Sequence, residues 1–140
     1  MPKNKNVKSH ILLSIFSLSL FITSCCFSTK EKYLGSNLYL SEYNNIERSI
    51  LFQQKRCSNT GIEIVPMTVF ACAYNSDWII AKSGNARLKK DFQYWIINNN
   101  NVNNPSLSNI KANTLGPLDW ESFTTEIKEK KINLTLEGFN

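Results

Sequence analysis

From Tyr33 onward the chain is a series of short apolar segments separated by clusters of Asn, Ser and Gly, a rhythm that a sheet accommodates and a helical bundle does not. Leu34, Ser36, Leu38 and Leu40 fall on one side of an alternating run, with Tyr39 opposite, which predicts one strand. Ile46, Arg48, Ile50 and Phe52 alternate with Glu47, Ser49 and Leu51 and predict a second. Ile62 to Tyr74 is nearly continuous in β-branched and aromatic residues but contains Pro66. Proline cannot donate to a ladder, so Pro66 marks an edge, a bulge or the division between two strands. Asn75-Ser76-Asp77 reads as a turn into the strand Trp78–Lys82, and Ser83–Lys90 as a polar, basic loop. Phe92–Ile97 is the next strand, with Phe92, Tyr94 and Ile96 on one face and Trp95 and Ile97 on the other. Short connections favour an antiparallel meander, because parallel strands need long crossovers. Asn98–Asn104 is almost all asparagine and reads as a solvated loop.

One helix is signalled near the end. Gly116-Pro117 breaks the chain, Asp119 is placed to cap, and Trp120, Phe123 and Ile127 form an apolar stripe expected to bury itself on the sheet. Glu121 and Glu126 precede Lys128, Lys130 and Lys131, the order that the helix dipole prefers. Ile132–Leu136 either adds a last strand or trails over the surface. The expected fold is α+β: a small antiparallel sheet of about five strands with one C-terminal amphipathic helix on one face. It occupies residues 33–140 as a single domain.

The first two dozen residues differ in composition from the rest. Lys3, Lys5 and Lys8 precede the apolar stretch Ile11–Ile22, which runs into Thr23-Ser24-Cys25. This is the layout of a secretion signal. Phe21-Ile22-Thr23-Ser24-Cys25 resembles a bacterial lipobox, which implies a signal peptide over residues 1–24, lipid on Cys25 and a short tether over residues 25–32. Several acyl chains anchor a protein stably where one binds only marginally. The rival reading, an uncleaved spanning helix, meets a stretch shorter than the ~20 residues a bilayer requires. By analogy with sorting rules, Cys26 in place of Asp disfavours inner-membrane retention, so the expected location is the outer membrane, on its periplasmic or surface face.

Formal charge is +5, but the three leader lysines account for three of it, leaving a nearly neutral mature part. That removes the compositional case for nucleic acid. The one histidine, His10, lies in the leader, so the mature part holds neither a Ser-His-Asp triad nor the commonest metal ligand. No metal site and no cofactor is expected, since the glycines stand alone and form no phosphate loop. Cys57 and Cys72 are candidates for a disulfide in an oxidising compartment; alternatively Cys72 is a buried small hydrophobe. Asp77, Asp91 and Asp119 remain as acid–base candidates, though turns and caps explain them structurally.

Trp78, Tyr94 and Trp95, with Tyr74, are either core or contact surface: alternation sends one of each neighbouring pair inward. The pattern Ile64-x-Pro66, Tyr74-x-x-Asp77-x-Ile79-Ile80-Ala81, Tyr94-Trp95-Ile96-Ile97, then Gly116-Pro117-Leu118 and Phe123 resembles a family of small bacterial proteins catalogued as a domain of unknown function, many of them lipoproteins. The resemblance spans roughly residues 33–130; it implies the fold and the export, and assigns neither activity nor catalytic residues. The function expected is a non-enzymatic binding or structural module held at the cell envelope by Cys25, with an unidentified protein as partner. Two rivals remain: an immunity-type lipoprotein that sequesters a toxin, and a minimal carboxylate-based hydrolase.

Overall fold

The structure, a computed structural model, describes residues 30–43, 46–55, 58, 60–100 and 105–139. Among these described residues eight strands form two antiparallel four-stranded sheets, in each of which the strands lie in sequence order. The first holds β1 (Lys30–Gly35), β2 (Leu38–Tyr43), β3 (Glu47–Phe52) and β4 (Ile62–Val65). The second holds β5 (Thr68–Tyr74), β6 (Trp78–Gly84), β7 (Gln93–Asn98) and β8 (Thr114–Leu118). Helix α1 (Leu107–Ala112) joins β7 to β8, and α2 (Trp120–Glu129) follows β8. The antiparallel meander holds; the single five-stranded sheet and single helix do not.

Each difference has a local cause. The run from Leu34 to Leu40 is a hairpin, not one strand: Ser36 and Asn37 both take positive φ, 48° and 59°, as a two-residue type I′ turn demands. Lys30 to Lys32, read as tether, already belong to β1. Pro66 separates β4 from β5, and with Met67 at φ 65° it is where the chain leaves one sheet for the other. Gly116-Pro117 lies inside β8 rather than in a break, and β8 is an edge strand, the position where a missing N–H costs no ladder bond.

Two apolar layers result. Leu38, Ile50, Val65, Val69, Ile79 and Ile97 belong to the core between the sheets, which α1 completes with Ile110. Full burial of such a side chain contributes about 1.5–3 kcal/mol. A second core, built from Ile80, Ile96, Phe123 and Ile132, lies on the opposite face of the second sheet beneath α2. The expected solvated loop begins instead with a buried clasp at Asn99. Its side-chain Nδ2 donates to the carbonyls of Leu34 and Asn75, both at 2.8 Å, its backbone N–H donates to Asp77 O at 2.7 Å, and its own carbonyl accepts from Ser36 Oγ at 3.0 Å. The clasp ties the β1–β2 turn to the β5–β6 turn across the two sheets. Residues 101–104 lie outside the described residues.

Candidate binding groove

The second core sets up the site. Ile80 and Ile96 pair across β6 and β7, and alternation places Tyr94 two residues along the same face. Helix α2 lies over them, started by Asp119, whose carboxylate accepts the Ser122 N–H at 2.7 Å. That backbone hydrogen bond holds the Asp119 carboxyl below the ordinary carboxylate range. The helix ends where Lys131 turns left-handed at φ 53° and the Ile132 N–H donates back to Ile127 O at 2.9 Å. Ile132 then buries, a Schellman-type reversal that sends the chain back alongside the helix. The returning segment adds no strand apart from a single bridge between Gly138 and Ala71.

Between α2 and this segment lies an apolar groove of about 300 Å³. Ile80 is part of its lining, with Phe123 and Ile127 on the helix side and Leu134 and Leu136 opposite. Trp120 stands at the helix end of the groove, 57 % exposed, although the apolar stripe predicted it to be buried. Its ring is not loose: centroids lie 5.2 Å from Tyr94 and 5.8 Å from Phe123, and Tyr94 and Phe123 stack at 5.0 Å. An exposed indole braced by two supported rings offers large contact area with little entropy left to lose. No ionisable side chain lines this groove among the described residues; its two hydroxyls are Thr124 and Thr135, and Thr124 already donates to Glu121 O. Such a lining can bind apolar matter and offers no general acid or base.

Towards the C-terminal end of α2 a second hollow adjoins the groove, lined by Thr125, Lys128, Lys131 and Ile132, with Thr124 and Ile127 bordering both. Another cavity, of about 380 Å³, is lined by Phe52, Gln54, Lys55, Ser58, Thr60 and Ile62.

The expected contact residues scatter. Tyr94 reaches the groove through its aromatic partners, and half-buried Trp78 packs against the second core. Trp95 is not contact surface: it is 6 % exposed, packed between the sheets, and its indole N–H donates to Ser83 Oγ at 2.9 Å. Asp77, Asp91 and Asp119 are all exposed. The β6–β7 register puts Asp77 at the opposite end of those strands from Asp91 and Asp119, so Asp77 and Asp119 share no cleft. Groups of His, Cys, Asp and Glu able to hold a metal are absent among the described residues.

Cys25 and Cys57 lie outside the described residues, and Cys72 is a free, buried thiol. Burial pushes the Cys72 thiol from 9.0 up to about 12, with the charge of Lys32 opposing weakly. The neutral thiol is favoured in the folded state, so its stabilising contribution is complete below pH 9 and is lost as pH rises towards 12. Urea unfolding is expected to show stability falling over that window, with a shallower fall in Cys72→Ala; identical slopes would refute the assignment.

A family model described as a protein of unknown function, DUF3997, matches residues 36–139, a span that holds both helices and the whole groove. No curated protein and no solved structure matches the chain.

Proposed function

The chain belongs to the DUF3997 family of proteins of unknown function, and from that premise we propose that it is a membrane-tethered, non-enzymatic binding module of the cell envelope, with the groove beside α2 as its contact site. The observation that carries this reading is Trp120. A large aromatic ring, mostly in solvent yet braced by Tyr94 and Phe123, stands at the end of an apolar groove that no charged side chain lines among the described residues. Contiguous apolar surface of this kind marks sites of association more often than idle surface.

The tether rests on the leader. A basic start, an apolar stretch and Thr23-Ser24-Cys25 support lipid attachment at Cys25, which would hold the domain on the outer membrane, facing the periplasm or the cell surface. Among the described residues no helix is long and apolar enough to cross a membrane. Cell fractionation of Cys25→Ala tests the tether. The variant is expected in the soluble fraction, while the unaltered chain stays with membranes until detergent is added. Continued membrane association of Cys25→Ala would contradict lipid anchoring.

A further inference from the structure

The apolar groove beside α2 adjoins a second hollow bordered by two lysines, and that juxtaposition points to a class of ligand. At the Trp120 end the lining is Ile80, Phe123, Ile127, Leu134 and Leu136. The adjoining hollow, which shares Thr124 and Ile127, is lined besides by Thr125, Lys128, Lys131 and Ile132. Lys130, between them in sequence, is bound to Glu126 at 3.2 Å, whereas Lys128 and Lys131 form no ion pair among the described residues. An apolar groove that adjoins a hollow bordered by two lysines complements an apolar chain that ends in an anion.

Resting on the binding reading above, we propose that the groove and the hollow beside it together take a single-chain anionic amphiphile: an acyl chain in the groove beside Trp120 and a carboxylate head in the hollow between Lys128 and Lys131. The groove, of about 300 Å³, has room for a run of several methylenes at ~30 Å³ each, the share that a water takes in the liquid. Thr124 and Thr135 interrupt the apolar lining, but the Thr124 hydroxyl is spent on Glu121 O and presents its methyl-bearing side at little cost. The head group lies in the hollow bordered by Lys128 and Lys131, both exposed, where it keeps part of its hydration and is not taken wholly out of water. Each lysine also sits where the helix C-terminus favours a cation, so the charge alone does not identify a ligand; its place beside the apolar groove, across the shared Thr124 and Ile127, does.

The test uses the full chain, lipidated and held in phosphatidylcholine vesicles, with a photoreactive twelve-carbon fatty acid as the probe and the matching fatty alcohol as its uncharged counterpart. After irradiation, peptide mapping is expected to place the acid on the segments 120–127 and 132–136. Labelling by the acid is expected to fall at least fivefold in the double variant Lys128→Glu, Lys131→Glu, with labelling by the alcohol unchanged. Leu134→Trp, which fills the trough without removing a charge, is expected to reduce labelling by both probes. Labelling by the acid that ignores the charge reversal, or that maps to other segments, would overturn the proposal. A protein captured by a photocrosslinker at position 120, with no labelling by the acid, would overturn the amphiphile and leave the binding reading standing.

Discussion

Phe123→Ala is expected to lower the stability of the domain by about 3–5 kcal/mol, while Trp120→Ala, three residues away on the same helix, is expected to cost about 1 kcal/mol. The contrast follows from position rather than ring size. Phe123 is 4 % exposed and packs with Ile80, Ile96 and Ile132 in the core beneath α2, so its removal opens a cavity in a layer only one helix thick. Trp120 is mostly solvated and forfeits only its ring contacts with Tyr94 and Phe123. Urea unfolding of both variants, followed by circular dichroism, measures the difference. Equal losses would make Trp120 a structural residue and remove the reason for treating the groove as a contact site.

Gly116→Ala is expected to be nearly as damaging, at roughly 4 kcal/mol, from two effects that add. The residue holds φ +144°, a region that L side chains rarely enter, and an added Cβ would strike the Trp95 ring, meeting Cε3 and lying 2.8 Å from Cδ2. The ring cannot easily yield. It is buried between the sheets, and its N–H is fixed on Ser83 Oγ. Gly138→Ala is the natural control, since the nearest atom to its added Cβ is a backbone oxygen 4.0 Å away; it is expected to be nearly neutral. Thermal unfolding compares the two, and a harmless Gly116→Ala would mean that β8 does not pack on Trp95 as described.

Much of this was readable from residues alone. The turn at Asn75-Ser76-Asp77 is there, with the Asn75 side chain accepting the N–H groups of Asp77 and Trp78, and Asp119 caps its helix. Pro66 divides two strands, as one of its three readings required. The number of sheets was not readable, because a period of two says which residues share a face and nothing about which sheet a strand joins. The Ser36-Asn37 turn is invisible to a search for glycine pairs, although asparagine tolerates the left-handed region. Helix α1 has six residues, too few for a periodic stripe to declare itself.

The groove was half legible. Tyr94 was among the expected contact residues and Phe123 was rightly placed on the buried face. Trp120 was misplaced for a geometric reason: helical side chains lean towards the N-terminus, so a ring on the first residue of a helix extends past its start instead of lying flat on the sheet. Leu134 and Leu136 gave a weak signal, two leucines on one side of a segment that carries no strand ladder. What shapes the trough is the reversal at Lys131, and a lysine in that role carries none of the signature that glycine would.

The measurement that bears most directly on the proposed contact site is site-specific photocrosslinking of the full chain in the cells that make it. A photoreactive amino acid replaces Trp120 in one sample and Leu88, an equally exposed loop residue, in the other. The account predicts a defined adduct from position 120, lost on Leu134→Trp, and none from position 88. Adducts of equal yield from both positions, or none from position 120, would contradict it.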